Sequence, residues 1–303
     1  MSEIIEPVQG FKSGFAAIIG APNVGKSTLL NTLIGEKISI TSSKPQTTRN
    51  RIAGVCHQPG FQIVFLDTPG IHQTKKPLNI RLVEVAMAAI SDVDLILLVI
   101  DAAAPEPKSE QLILNKLKNR RHPPVILAIN KIDKVKKPKL LHLIDHWAGA
   151  CDFVEIVPVS ATEGTQVDAL LAAMKKLLPD GPPYFPEDMI TDMPERFIAA
   201  EMIREKVFDL TDQEIPFSTA VTIESFEELP KQNLVRIHAA IHIERNSQKG
   251  IIIGKQGAML RQIGEAARLD MERMTGTRVF LKLFVRVEKN WSTDDRAMRK
   301  LGY

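Results

Sequence analysis

Gly20-Ala-Pro-Asn-Val-Gly25-Lys26-Ser27 is the stretch on which the reading of this chain turns. It has the form G-x-x-x-x-G-K-[ST]. Glycines let the backbone wrap around an anion with its N–H groups pointing inward, and a helix that follows adds partial positive charge at its N-terminus. The flanks supply that context: Phe15–Ile19 reads as a buried strand and Thr28–Ile34 as a helix. Lys26 is expected to reach the β and γ phosphates of a nucleotide, and the Ser27 hydroxyl to ligate magnesium. Gly20, Ala21, Pro22, Asn23, Val24 and Gly25 form the cradle around them.

Outward from the loop, Phe61–Leu66, Leu95–Ile100, Val125–Ile129 and Ile156–Val159 read as further buried strands. Ile80–Ile90, Gln111–Leu117 and Val167–Leu178 read as helices among them. This alternation predicts an α/β fold, a P-loop domain with a mostly parallel sheet covered by helices on both faces. Ligands of such sheets sit at the carboxyl ends of the strands, and three more motifs stand there. Asp67-Thr68-Pro69-Gly70 follows the second strand. Its aspartate can help hold magnesium, and the Gly70 N–H can meet a γ-phosphate. Asn130-Lys131-Ile132-Asp133 follows the Val125–Ile129 strand. A carboxylate there accepts two hydrogen bonds from guanine N1–H and its amino group, donors that adenine lacks. Lys131 is expected to lay its stem over the base. Ser160-Ala161 follows the last strand, where the Ala161 N–H can reach guanine O6.

In this order the motifs resemble the Ras-like GTPase superfamily over roughly residues 10–180. The resemblance implies binding of GTP and GDP with Mg²⁺. It also marks Ser42-Ser-Lys-Pro-Gln-Thr47-Thr48-Arg49 as a first switch, in which a threonine completes the magnesium shell. Thr48 is the choice and Thr47 the rival. Metal ligation therefore falls to Ser27, Thr48 and Asp67, and catalysis to Lys26, Thr48, Gly70 and Asn23. Where many relatives carry a glutamine to orient water, this chain has Ile71. That implies slow intrinsic hydrolysis, about 10⁻⁴–10⁻² s⁻¹. His72 reads as a switch residue without a catalytic role. In potassium-dependent relatives an asparagine at the Asn23 position helps hold a monovalent cation, which implies K⁺ here.

Composition supports a soluble globular chain. The 303 residues are 44% apolar, enough for two cored domains. Cys56 and Cys151 have no zinc-like spacing, and are expected to be reduced thiols. Met1–Glu6 is too acidic to read as a signal peptide. No apolar run approaches the ~20 residues of a membrane span. Leu178–Asp192 holds four prolines and reads as a semi-rigid linker. Net charge is zero over residues 1–195 and +3 over 196–303, with +6 between Arg245 and Arg286, which points to a polyanion partner.

The second half runs helix (Arg196–Leu210, amphipathic), strand (Ser218–Glu224), strand (Leu234–Glu244), one or two helices ending in Ala258–Met274, and strand (Arg278–Val287). Ile251-Ile-Ile-Gly254-Lys255-Gln256-Gly257 carries G-x-x-G behind the basic lead-in of Arg245 and Lys249. Glycines there admit a nucleic-acid backbone, as in a KH domain that clamps about four single-stranded nucleotides. Arg261, Arg268 and Arg273 can extend the positive surface. The few aromatics argue for recognition by groove and base edges rather than by stacking.

The element order resembles a smaller, α+β type II KH domain. Together the halves resemble the Era family of bacterial ribosome-associated GTPases over essentially the whole chain. The domains expected are 1–180 (GTPase), 181–195 (linker) and 196–303 (KH). The resemblance implies 16S rRNA near its 3′ end and the 30S subunit as partners, with no DNA. It implies a cytoplasmic protein with a peripheral inner-membrane fraction, the latter on resemblance alone. The rival readings are a nucleotide-gated RNA-binding module without turnover and an RNA-stimulated ATPase. Lys249, Gly254, Lys255, Gln256, Gly257 and Arg261 are the candidate RNA contacts.

Overall fold

Apolar residues on both faces of a strand demand cover on both sides, and five of the first-half strands meet that description. The computed structural model describes residues 10–42, 44, 46–118 and 123–303. The Met1–Glu6 reading, and Ser43 and Pro45 of the first-switch stretch, lie outside these. In chain order the first elements are β1 (Lys12–Gly20), α1 (Lys26–Ile34), β2 (Ile52–Gln58), β3 (Phe61–Asp67), α2 (Pro77–Ala88) and β4 (Leu95–Asp101). There follow α3 (Pro107–Lys118), β5 (Val125–Asn130), α4 (Lys137–Ala148), β6 (Glu155–Pro158) and α5 (Val167–Leu177). The sheet order is β2-β3-β1-β4-β5-β6. All neighbours are parallel except β2, which runs antiparallel to β3.

β2 and α4 are outside the expected set. Ile52–Gln58 follows the switch stretch directly and has no alternation. α4 buries Trp147 and sets Leu140, Leu143 and Ile144 part-buried against the core. The proline-rich stretch is fastened to this first unit. Gln62 Nε2 donates to Phe185 O (2.8 Å), and its Oε1 accepts from Tyr184 N (2.7 Å). Val55 N donates to Ile190 O (2.8 Å), and Thr191 Oγ1 to Ala53 O (2.6 Å). The prolines hold the segment extended, and its remaining backbone groups find partners on β2 and β3.

The second-half elements are α6 (Glu195–Leu210), β7 (Ala220–Leu229), β8 (Leu234–Ile243), α7 (Asn246–Ile253), α8 (Ala258–Thr275), β9 (Arg278–Val287) and α9 (Asp295–Lys300). The sheet order is β7-β8-β9, with β7 antiparallel and β9 parallel to β8. Two helices separate β8 and β9, and the first, α7, contains the Ile251–Ile253 run. Contacts divide the chain into two compact units. One takes residues through Ser39, Thr48–Lys75 and Asn79–Asp192; the other takes Ile40–Thr47, Lys76–Leu78 and Met193–Tyr303. No helix of the described residues is long and apolar enough to cross a membrane.

The amphipathic reading of α6 needs correction. Its buried residues include Glu201, Arg204 and Glu205 beside Ile198, Met202, Ile203 and Phe208. Arg204 Nε donates to Glu201 Oε1 (2.8 Å), so the pair enters the core together. Trp291 is fully buried, donates from Nε1 to Ser218 O (2.9 Å) and stacks on Tyr303. Trp291→Ala should remove about 3–5 kcal/mol, a large share of a typical domain's stability. Urea unfolding of the full chain, followed by far-UV circular dichroism, measures it.

Candidate nucleotide and nucleic-acid sites

The first site lies at the carboxyl ends of β1, β3, β5 and β6. Gly25 has φ +94° and opens α1, whose first residue is Lys26. Lys26 Nζ donates to Ala21 O (2.8 Å) and Gly20 O (3.2 Å) inside the loop. Burial lowers its pKa to about 8, with the Asp67 charge acting the other way.

Asp67 ends β3 with no exposure. Its Oδ2 accepts from Ser27 Oγ (2.7 Å) and Ser39 Oγ (2.9 Å). Its Oδ1 is buried without a hydrogen-bond partner. Burial pushes this carboxyl above its ordinary range, and Lys26 and the two serines pull against that. Thr48 Oγ1 stands 2.8 Å from Ser27 Oγ and 3.5 Å from Asp67 Oδ2. Thr47 turns away and donates to Lys44 O (2.8 Å). Two hydroxyls and a carboxylate with a free buried oxygen form a hard oxygen set that suits Mg²⁺.

The residues that follow Asp67 are tied into the fold. Thr68 Oγ1 donates to Ile18 O (2.8 Å), so its hydroxyl belongs to the sheet, not to a ligand. Pro69 is buried. The Ile71 side chain has no exposure and packs in the core with Ile19, Ile96 and Ile100. Its backbone N–H donates to Gly20 O (3.1 Å). An apolar side chain gains more in that core than over a phosphate. Gly70 lies against Pro22, and a β-carbon there would stand 2.7 Å from Pro22 Cα. His72 Nδ1 is 3.1 Å from Gly70 O.

On the base side, Asn130 is nearly fully buried. Its Nδ2 donates to Val24 O (2.8 Å). Its Oδ1 accepts from Lys131 N (2.8 Å) and Ala161 N (3.0 Å). The Ala161 N–H, read as a donor to guanine, is thus engaged by Asn130, because the buried amide oxygen needs donors. Lys131 Nζ reaches Asn23 O (2.6 Å) and Asp101 Oδ2 (2.6 Å). Ser160 Oγ donates to Asp133 Oδ1 (2.6 Å), which orients an exposed carboxylate. Ile132 is half-buried in the same turn. Asn23 is exposed at φ +62°, a left-handed conformation that asparagine tolerates better than most residues.

Sequence reading missed Ser39 and Asp101. Asp101 had a signal, since it closes β4 at the sheet's ligand end. Ser39 sits in no motif.

The second site joins α7 to α8. Gly254 has φ +72° and ψ 175°, and a β-carbon there would be 2.7 Å from Met259 Cβ. Only glycine fits. Gln256 (φ +51°) and Gly257 (φ +78°) complete a turn that leaves Lys255 and Gln256 exposed. Beside it runs a groove of about 520 Å³, lined by Gly257, Leu260, Arg261, Gly264, Leu281 and Leu283 among others. Lys249 stands exposed on α7, outside that lining. Arg268 pairs with Glu272 (2.8 Å) and Arg273 with Asp270 (3.2 Å), so neither offers a full charge.

Comparison with known proteins finds relatives for both units. A family model described as 50S ribosome-binding GTPase matches residues 15–131, and a KH domain model matches 214–292. The chain is 55% identical to "GTPase Era" of Geobacter metallireducens, covering 97% of this chain and 98% of that protein. It is 50% identical to "GTPase Era" of Syntrophus aciditrophicus, covering 97% and 95%. It resembles a crystal structure of Era in complex with MgGDPNP and nucleotides 1506–1542 of 16S ribosomal RNA, with TM-score 0.92, 44% identity and coverage of 97% and 99%. It also resembles an Aquifex aeolicus Era variant bound to GDP and AlF4⁻, with TM-score 0.91, 43% identity and the same coverage.

Asn130→Ala should unpin the phosphate loop and the Ala161 turn together. Removing a buried group that satisfies three partners costs several kcal/mol in this region. Mant-GDP titration should show affinity down by two orders of magnitude or more, with far-UV circular dichroism little changed.

Proposed function

The chain belongs to the Era GTPase family, and from that premise we propose how its own residues do the family's work. It is a GTP-hydrolysing enzyme that takes guanine nucleotide and Mg²⁺. It binds 16S rRNA through a KH domain and assists maturation of the 30S subunit.

The observation that carries the residue-level reading is the meeting of Ser27, Thr48 and Asp67 at one buried point, with Asp67 Oδ1 unpartnered. Gly20–Ser27 wraps the phosphates, and Lys26 turns its ammonium from loop carbonyls to the β and γ oxygens. Ser27, Thr48 and Asp67 hold Mg²⁺, which supplies charge against the developing negative charge of phosphoryl transfer. Gly70 brings a backbone N–H to the γ-phosphate. Asp133, oriented by Ser160, selects guanine, and Asn130 and Lys131 tie the base end to the phosphate loop. With the Ile71 side chain in the core, no side chain at that position orients water, so turnover is slow without a partner.

GTPase chemistry is assigned to residues 1–180 and RNA binding to 196–303, with 181–195 joining them. Lys249, Gly254–Gly257 and Arg261 contact RNA, the glycines through close backbone approach. The chain acts in the cytoplasm, and a peripheral fraction at the inner membrane rests on family resemblance alone. If GTP and RNA favour the same arrangement, each raises the other's affinity by the same factor.

Crosslinking and sequencing of RNA bound to the full chain, loaded with non-hydrolysable GTP or with GDP, tests this. The expected reads cluster near the 3′ end of 16S rRNA and are stronger with the GTP analogue. Diffuse reads, indifferent to nucleotide, would remove the RNA half of the reading. Asn23 is assigned a monovalent cation beside the phosphates. Hydrolysis should then be several-fold faster in KCl than in NaCl, and equal rates would dismiss that role.

A further inference from the structure

The sheet of the KH unit has a second face. Val279, Leu281, Leu283, Val285 and Val287 of β9 pack into the core, as do Val235, Ile237 and Ile241 of β8. Strand alternation then sends Phe280, Lys282 and Phe284 to the opposite face, with His238 beside them. Register agrees, with Phe280 opposite Arg236 and Lys282 opposite His238. The His238 ring centroid is 6.4 Å from Phe280 and 6.3 Å from Phe284, both edge to face. Lys282 Nζ stands 5.2 Å from the Phe284 ring centre. Phe280 is 50% exposed, the one exposed phenylalanine among the described residues. Lys282 lies over Phe284, so the half-exposed Phe280 ring is the one most open to a flat partner.

Charge on this face is uneven. Arg236 pairs with Glu227 (3.4 Å) and Arg286 with Glu224. Lys282 and Arg278 make no ion pair among the described residues; Arg278 donates to Gln232 O (2.9 Å). The open cations therefore follow the edge strand β9, interleaved with the aromatics. That edge also bounds the G-x-x-G groove, since Leu281, Lys282 and Leu283 line it. Groove and outer face meet along β9.

We propose that the outer face of this sheet is a second surface for single-stranded RNA, on which bases stack against Phe280, His238 and Phe284 after the strand leaves the groove across β9. This rests on the groove being an RNA site. Exposed aromatics on a sheet interleaved with cations fit bases and backbone together, and stacking tolerates any base. An apolar protein partner would have no use for Lys282 between the rings and Arg278 beside them, neither in an ion pair among the described residues.

The test uses the full chain and two fluorescein-labelled, unstructured RNAs of 5 and 12 nucleotides, read by anisotropy. The groove takes about four nucleotides, so only the longer probe reaches the outer face. Phe280→Ala should weaken the 12-mer roughly fivefold or more and leave the 5-mer unchanged. Phe280→Tyr, which keeps the ring, should restore the 12-mer. Phe280 is half exposed, and unchanged 5-mer binding reports a folded KH unit. If Phe280→Ala affects both probes equally, or neither, the proposal is overturned. It is also overturned if the variant alters sedimentation mass while RNA binding holds, because the face is then a contact between protein copies. If the unsubstituted chain binds neither probe, the groove reading falls with it. If 5-mer binding stands and the 12-mer ignores Phe280, only the outer-face proposal falls.

Discussion

A carboxylate with no access to water ends β3, and the GTPase unit is arranged around it. Burying a charge is unfavourable unless partners replace its hydration. Asp67 has Ser27 and Ser39 on one oxygen and nothing on the other. Lys26, itself buried, offsets part of its charge from within the phosphate loop. The two groups are of opposite and complementary kinds: Asp67 is a buried carboxylate suited to a cation, and Lys26 is a buried ammonium suited to anionic oxygens. Magnesium and phosphate would engage both at once. Binding then stabilises the fold as well as filling a site, since a ligand that binds only the folded state adds to its stability.

The RNA unit follows a different rule. Its G-x-x-G turn is specified by backbone shape as well as by charge. Gly254 adopts a conformation closed to side chains, and a β-carbon would strike Met259. The charged residues that do enter the core, Arg204 and Glu201, enter as a pair. Buried pairs of that kind add little net stability, and their loss singly is severe. Two of the three arginines that extend along α8 are already neutralised by neighbours on their own helix. Formal charge in this segment therefore overstates the field that a polyanion meets.

Sequence made the parallel strands plain because burial on both faces writes an unbroken apolar run, as in Leu95–Ile100. The nucleotide motifs were plain because chemistry fixes both their residue types and their order along the strand ends. β2 was hidden behind the switch stretch. α4 does carry a signal, since Leu140, Leu143, Ile144 and Trp147 recur at helical spacing and pack on the core. α6 misled because charged residues that pair inside a core look, in one dimension, like a solvated face. Thr68, Ile71 and Ala161 carry the general lesson for the site. Motif membership points to them, but each has a structural obligation within the fold: a β1 carbonyl, the core, and the Asn130 amide. Which obligation wins depends on neighbours that are distant in sequence.

The contact between Gly25 and Asn130 has a consequence for how this chain can change over generations. A β-carbon at position 25 would stand 2.3 Å from Asn130 Nδ2, at a backbone angle that already disfavours one. Asn130 in turn satisfies groups from three separate loops. Neither position has a tolerated single step, because each first move harms the other's role before a second could compensate. The pair is therefore epistatic in both directions. Drift in this unit must pass around the junction, and it is freest where side chains meet only water, as on the exposed face of α4.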